Sequence, residues 1–509
     1  MNKRTLFAIV IVLLPGFVWA GPADMASFDK DAYIASGYKD RVVPVSIDDC
    51  IMYTFQNNSE IKITRIEPQV MKDDIIVARS VFEPNLDLLY NLHDNTKPSI
   101  TPYVSGSEID KQRTGVLNAG ISGKVITGLN YNLEFLSTKI RTGSEWQVID
   151  PAYKVEPKIT ISQPVLRGGG IFVNRARIMI ASNNEKQSVE DFKQAAMEII
   201  TKTVNTYYQV YFYREAYIIA EGALARAKNL MEINELRYQK GLVSSVDLLE
   251  TEAAVAEKEK YILTAEQGLL EAADNLKLIT NVVDDPGMWN ARLELLDKPL
   301  LSVRKVDLLQ SLQTAFEMRP DYFSAQIGLE NQDIIIKLNR NALWPTLDLV
   351  GSFGLNGLGD GYRGSIDNIK SEYRDWSAGV VFRLPWGSGD RARYDMSKLQ
   401  KQQVLLAFKR LEQRIILEVR DKVRTVDIQY RQVQAASLAQ RKERQNYKAQ
   451  EERYAAGQVS THDMLDYQDR LALAELDYAE ALIKYNVAII NLEQVTGTTL
   501  TKNNIQLEE

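Results

Sequence analysis

The stretch that decides the fold is Arg237-Tyr-Gln-Lys-Gly-Leu-Val-Ser-Ser-Val-Asp-Leu-Leu-Glu250, because it returns 216 positions later as Arg453-Tyr-Ala-Ala-Gly-Gln-Val-Ser-Thr-His-Asp-Met-Leu-Asp466. Identical pairs include Arg237/Arg453, Tyr238/Tyr454, Gly241/Gly457, Val243/Val459, Ser244/Ser460, Asp247/Asp463 and Leu249/Leu465. The register holds without a gap through Ala256/Ala472, Glu259/Glu475, Ala272/Ala488, Asn275/Asn491 and Thr280/Thr496. Upstream, Arg175-Ala-Arg177 matches Arg391-Ala-Arg393 at the same offset. The chain therefore carries two copies of one structural unit.

Outward from the repeat, 181–240 and 392–456 contain no proline and are rich in Glu, Lys, Gln, Arg and Ala, which predicts two very long helices. Each would span about 90 Å at 1.5 Å per residue. Ile416, Val419, Val423, Val426, Tyr430 and Val433, and in the first copy Ile200, Val204, Tyr207 and Tyr211, alternate spacings of three and four, the pattern of a coiled-coil seam. Ala216, Ala220, Ala223 and Ala227 leave room for close helix approach. Gly241 and Gly457 close the long helices, and Ser244-x-x-Asp247 and Ser460-x-x-Asp463 are capping boxes that open the next ones, over Val246 to Thr280 and His462 to Thr496. Each copy is thus a helical hairpin with a tight tip. The returning helices are short, so Ile47 to Arg79 and Val306 to Ala342 are expected to extend them end to end.

Composition excludes more than it suggests. The 509 residues hold one cysteine, Cys50, and two histidines, His93 and His462, too few for a disulfide or a multi-His zinc site within one chain. A net charge of −6 gives no basic footprint for nucleic acid. No clustered catalytic group is evident, so an enzyme is not expected, and neither is a cofactor. Residues 1–20 read as a secretory signal peptide: Lys3 and Arg4, an apolar run from Leu6 to Leu14, then a Val18-Trp19-Ala20 cleavage site. A retained signal anchor is the alternative reading, although the run is shorter than the ~20 residues of a spanning helix. No later apolar run could serve, so a mature chain that crosses a membrane would do so as a barrel.

Strands with alternating faces supply that possibility. In Trp376-Ser-Ala-Gly-Val-Val-Phe-Arg-Leu-Pro-Trp386, Trp376, Ala378, Val380, Phe382, Leu384 and Trp386 share one face, with Trp376 and Trp386 as an aromatic girdle at its two ends. Leu347, Leu349, Phe353 and Leu355 form such a face in 346–356, as do Leu86, Leu88, Tyr90 and Leu92, and Tyr153, Val155, Ile159 and Ile161. Half-buried soluble strands alternate too; the signal peptide and aromatic ends favour a barrel. Four strands per chain fall short of the roughly eight that close a membrane barrel, so an oligomer must complete it. The stretch 93–144 exceeds a simple hairpin, and 116–125 and 130–140 could be further strands or an extracellular extension. Gly168-Gly-Gly170 lacks the GxxxxGK[ST] pattern and reads as a strand-to-helix bend.

This order of elements, repeated, with Phe82-Glu-Pro-Asn-Leu-Asp-Leu88, Leu343-Trp-Pro-Thr-Leu-Asp-Leu349, Ser162-Gln-Pro-Val-Leu-Arg-Gly168 and both Arg-Tyr-x-x-Gly turns, resembles the TolC family of outer membrane efflux proteins. The resemblance covers about Ile47 to Gly497 and implies a mostly α fold with membrane β structure: a homotrimer joining a long α-helical coiled-coil barrel to a twelve-stranded transmembrane β-barrel, four strands per protomer, with two internal repeats. The implied organisation is 1–20 signal peptide, 21–46 N-terminal segment, 47–281 first repeat with strands in about 82–166 and tip 238–246, 282–305 linker, 306–497 second repeat with a β-hairpin in about 344–386 and tip 454–462, and 498–509 tail. It further implies a passive exit duct of a tripartite efflux pump or type I secretion system, seated in outer membrane lipid and extending through the periplasm. Its implied partners are a periplasmic adaptor (membrane fusion) protein and an inner-membrane transporter. A periplasmic coiled-coil adaptor is the competing class; it would have one hairpin flanked by small β-domains.

By the same resemblance, Asp463 and Asp466 line the periplasmic entrance. Asp463 and Asp466 share a helix face, as do Asp247 and Glu250, so copies brought together would make a constriction of like charge that favours cations. Capping alone also accounts for Asp247 and Asp463, and plain surface exposure for Asp466 and Glu250. Tyr454 and Asp247 match positions of the family's tip latch, whereas Val459 stands where the family places an arginine. Gly241, Leu242, Val243, Gly457, Gln458 and Val459 match the turns that meet the adaptor.

Overall fold

A computed structural model of the chain describes residues 42–99, 109–142, 147–281, 290–302 and 306–505. The expected signal peptide and most of the N-terminal segment lie outside the described residues. Helices α1 (Ile47–Asn57) and α2 (Ser59–Ser80) precede strands β2 (Asn85–Pro98), β3 (Ile109–Lys124), β4 (Asn130–Thr142) and β5 (Ala152–Pro164), all after the short β1 (Val42–Val45). Then come α3 (Ile171–Gln239) and α4 (Ser245–Thr280), which form the first hairpin. Strand β6 (Arg292–Leu295) lies within the expected linker and pairs in parallel with β1. The second copy follows: α5 (Leu308–Met318), α6 (Pro320–Asn341), β7 (Thr346–Leu355), β8 (Gly357–Gly359), α7 (Tyr362–Asp367), β9 (Arg374–Arg383), α8 (Gly389–Ala455), α9 (Thr461–Val495) and α10 (Thr499–Lys502).

The long helices exceed expectation, at 69 residues for α3 and 67 for α8, about 100 Å each. Seam residues Ile200, Val204 and Tyr207 in α3 and Val419, Val426 and Val433 in α8 are buried. One seam position is corrected: Ile415 is fully buried and Ile416 is 42% exposed. Both isoleucines lie within a turn of Val419, and Ile415 is the one that packs with Val419 against Ala315 of α5. Gly170, with φ 93°, stands at the N-terminus of α3, so the glycine triplet is the strand-to-helix bend.

Each returning helix ends where its extension begins. Asn58 breaks α1 from α2; its Nδ2 donates to Ile279 O near the end of α4 (2.8 Å), while its Oδ1 caps α2 by accepting from Glu60 N and Ile61 N. Asn281 Nδ2 donates back to Asn57 O (2.9 Å). In the second copy the break falls at Arg319, whose guanidinium donates to Val495 O in the last turn of α9 (3.2 Å) and bonds Asp321 and Glu418. The main core lies at this level, where Ile200, Val204, Tyr207 and Val210 pack with Cys50, Ile51, Leu276 and Ile279.

In the helical layer, α3 packs against α2, α4, α6 and α9, and α8 packs against α5, α6 and α9. The sheet order is β2-β3-β4-β5-β7-β9, antiparallel throughout, with β8 added to β5. Six strands lie on the path: the four expected ones, β2, β5, β7 and β9, and β3 and β4, which cover nearly all of 116–125 and all of 130–140, where the sequence left further strands open. Glycines (Gly115, Gly120, Gly123) and charged residues (Lys139, Arg141) interrupt the apolar alternation of β3 and β4, which weakens their signal in the sequence and leaves an extracellular extension as the other reading. Strand β9 ends at Arg383, so Trp376 stands near its far end and Trp386 just beyond its helix-side end; both are exposed. Among the described residues no helix is long and apolar enough to cross a membrane.

The end-to-end junction is expected to contribute measurably. Asn58→Ala removes a helix cap and a bond to Ile279 O, and should cost about 1–2 kcal/mol. A lowered thermal midpoint of helical circular dichroism would register that cost; an unchanged midpoint would show the junction to be energetically neutral.

Candidate functional site: the paired hairpin tips

Both tips close in the same way. Gly241 (φ 70°) and Gly457 (φ 68°) take the left-handed conformation, which favours glycine. Gly241 N donates to Tyr238 O (2.9 Å) and Leu242 N to Arg237 O (2.9 Å); Gly457 N donates to Tyr454 O (3.0 Å) and Gln458 N to Arg453 O (2.9 Å). These paired bonds satisfy carbonyls that the helix end leaves free. The next helices start on the expected caps. Asp247 Oδ2 accepts from Ser244 N (2.9 Å) and Oγ (2.7 Å), and Asp463 Oδ2 accepts from Ser460 Oγ (2.6 Å). Serine hydroxyl donation is the main reason both carboxyls titrate below the usual range, with backbone donation adding to it and, at Asp247, the Thr461 hydroxyl contributing less.

Identical sequences then meet different surroundings. Tyr238 is exposed at the first tip, whereas its counterpart Tyr454 is 5% exposed and sits with Leu230, Tyr447, Met464 and Leu471 in a small core between the hairpins. The Tyr454 hydroxyl donates to Asn234 Oδ1 on α3, and Asn234 Nδ2 donates to Thr461 Oγ1 (3.1 Å). Arg237 reaches across to Tyr454 O (2.9 Å) and Ala455 O (3.3 Å), with its guanidinium carbon 4.5 Å from the Tyr454 ring centre. A buried hydroxyl, a buried amide and a stacked cation thus join the first hairpin to the second. Asp247, the other expected latch residue, is engaged by its own cap at Ser244, and Arg237 bonds carbonyls of the second tip.

The candidate carboxylates are mostly partnered. Asp466 pairs with Arg470 one turn on (2.8 Å), and Glu250 Oε1 lies 2.7 Å from His462 Nδ1 of the other hairpin. That contact, and the charge of Glu250, raise the pKa of His462, which is otherwise open to solvent. Behind them Lys258 bridges to Asp469 (2.5 Å), and Glu475 takes Arg444 (2.7 Å). Of the turn residues, Gly241, Leu242, Gly457 and Gln458 are exposed and Val243 is half-buried. Val459 packs onto the Tyr454 core instead of facing outward. Sequence reasoning missed Asn234, Arg237 and Thr461; an asparagine four residues after Leu230 in an apolar seam was the available signal.

Two α-helical hairpins per chain, quasi-repeated and carried on an antiparallel sheet with alternating faces, define a class of outer-membrane efflux proteins. The outer membrane efflux protein family model matches residues 150–282 and 311–498, and the chain belongs to that family. It is 21% identical over 294 residues to the pyoverdine export outer membrane protein OpmQ of Pseudomonas aeruginosa, an alignment covering 57% of this chain and 60% of OpmQ. It is 27% identical over 188 residues to the outer membrane protein OprJ of the same organism, covering 36% of this chain and 37% of OprJ. The chain thus spans less than two thirds of each of these relatives, 60% of OpmQ and 37% of OprJ. The fold is that of the Campylobacter jejuni CmeC outer membrane channel, with TM-score 0.66, 17% identity and coverage of 91% of this chain and 90% of CmeC. The Vibrio cholerae outer membrane protein VceC gives TM-score 0.64 at 14% identity, covering 89% of this chain and 96% of VceC.

Two outcomes are expected at the tips. Tyr454→Phe removes one buried hydroxyl and leaves Asn234 without an acceptor role filled, which should loosen the turn by about 1–2 kcal/mol; amide exchange in 454–462 should rise while exchange at the Ile200–Tyr207 core stays unchanged. The pH dependence follows from the shifts. Stability from His462 is present below the unfolded value of 6.5 and fades as pH rises through its raised folded value. Stability from Asp247 and Asp463 is present above 3.8 and fades as pH falls through their lowered values. Tip protection should therefore be greatest between about pH 4 and 6.5, and His462→Gln should abolish its alkaline limb only.

Proposed function

We propose that the protein is the trimeric exit duct of a tripartite efflux pump or type I secretion system, conducting substrates passively across the periplasm and outer membrane. The observation that carries this reading is the pair of free edges. Among the described residues, helix α3 packs against α2 and α4 of its own copy and against α6 and α9 of the other, whereas its repeat counterpart α8 packs mainly against α5, α6 and α9 of its own copy. The missing neighbour of α8 corresponds to α2 and α4, which form the opposite edge of the same layer. Both edges bear exposed apolar residues, Ile63, Ile76 and Val77 on α2 and Leu399, Leu406 and Leu417 on α8. A second copy set against α8 supplies what the repeat requires, and successive copies close a ring. The sheet ends likewise in β2 on the α2 side and β9 on the α8 side.

In such a ring the tips form the periplasmic entrance. Arg237, Tyr454, Asn234 and Thr461 hold the two hairpins of each copy together, so the latch is strong within a protomer and gating falls to the joints between protomers, where Tyr238 is free. Asp466 and Asp463, brought together three times, favour cations. Gly241, Leu242, Gly457 and Gln458 offer the surface for an adaptor, through which an inner-membrane transporter delivers cargo. An isolated periplasmic adaptor has no use for the sheet's exposed apolar face, which argues against that class.

Reconstitution into planar lipid bilayers tests the reading. Discrete channel currents are expected, and Asp466→Asn should lower the cation-to-anion permeability ratio. A protein that partitions into the periplasmic fraction and conducts no current would overturn it.

A further inference from the structure

We propose that all six strands of the sheet, the β3–β4 hairpin included, form the membrane wall, so that three copies of six strands close an eighteen-stranded barrel; this rests on the trimeric duct reading. The β3–β4 turn decides where the hairpin lies. Gly170 N donates to Thr127 O (3.1 Å) and Gln163 Nε2 donates to the same oxygen (3.2 Å), which ties the turn to the bend between β5 and α3. A Cβ on Gly128 would come within 2.7 Å of Gly168 O, so the two turns are in contact. The turn therefore sits at the helix end of the sheet, and β3 and β4 run its full height instead of standing above it. At 16 and 13 residues they exceed the length needed to cross, about 9–11 residues for a tilted strand.

Cross-strand register gives the same answer. Leu86, Ile121, Leu133, Ile159, Phe353 and Trp376 are successive partners across all six strands, an unbroken apolar row on one face. The adjoining row on the other face is Asn85, Ser122, Asn132, Thr160, Ser352 and Ser377, polar throughout. The hairpin β3–β4 supplies the second and third member of each row, so removing it would not merely shorten an appendage; it lies inside a continuous two-sided wall.

The sheet also carries the stagger that closure needs. The polar row starts at the first residue of β2, yet β9 continues from Ser377 to Arg383, six positions further towards the helices. About one residue of offset per strand, at ~3.3 Å along and ~4.8 Å across, corresponds to a tilt of roughly 35–40°, within the range of membrane barrels. Six is even, so β2 and β9 run antiparallel and the β2 of the next copy can pair with β9. Barrel diameter grows roughly linearly with strand number, making this one about 1.5 times as wide as a twelve-stranded barrel. The tips, not the membrane segment, then limit passage.

Spin labels on single cysteines in the trimer, reconstituted in phospholipid vesicles, test this; the native Cys50 is buried and does not compete. Labels at Leu133→Cys and Asn132→Cys on β4 are compared with Phe353→Cys and Ser352→Cys on β7, using collision with oxygen for lipid and with a nickel chelate for water. Leu133 and Phe353 should both favour oxygen, and Asn132 and Ser352 nickel. Should a label at Leu133 block assembly, Leu117 and Asn118 on β3 give the same contrast. If both β4 positions favour nickel while the β7 pair keeps its contrast, the hairpin stands outside the wall and the proposal fails with the duct reading intact. If neither pair shows a lipid-facing member, the duct reading itself fails.

Discussion

The constraint on which the structure depends is that neither of its two layers is complete. In hydrocarbon every backbone donor and acceptor needs a partner, so a sheet with free edges at β2 and β9 cannot remain open there. The helical layer is uneven in the same way: among the described residues α3 packs on helices of both copies, whereas α8 packs mainly on those of its own. Coincidence of the free edges is what makes one rotation able to close both. Long helices that would be marginal alone are then held by neighbours along most of their length.

Duplication explains the economy of the design and also its asymmetry. Both tips use a left-handed glycine and a serine–aspartate cap, yet Tyr454 is locked between hairpins and Tyr238 is left in solvent. Within one chain the second hairpin has the first beside it; the first has no counterpart on its outer side. The same residue type therefore acts as a buried link in one copy and as an open contact in the other. Ionic partners follow suit: Glu250 meets His462 across the hairpins, while Asp466 is paired on its own helix.

Much of this was legible in residue order. The 216-residue offset fixed two equal units, proline-free runs gave α3 and α8, and Gly241 and Gly457 gave the tips. What escaped did so for physical reasons. Strands β3 and β4 were open possibilities and no more, because small and charged residues stand on the face that carries the apolar row, so period-two contrast fades although both strands pair with their neighbours. Ile415 and Ile416 are adjacent and equally apolar, and only packing chooses between them. Arg237 was conspicuous as a repeat identity, but its reach to Tyr454 of the other hairpin is a tertiary fact that no local pattern carries. Val459 stands where the resemblance places an arginine, and it packs onto the Tyr454 core.

The central claim is that equivalent free edges of helix and sheet meet between copies. Electron cryo-microscopy of the protein in lipid nanodiscs tests it most directly. The account predicts a threefold ring in which α8 of one protomer lies against α2 and α4 of the next, with β9 paired to its β2. A monomer, or a ring joined through other surfaces with those edges left open, would contradict it.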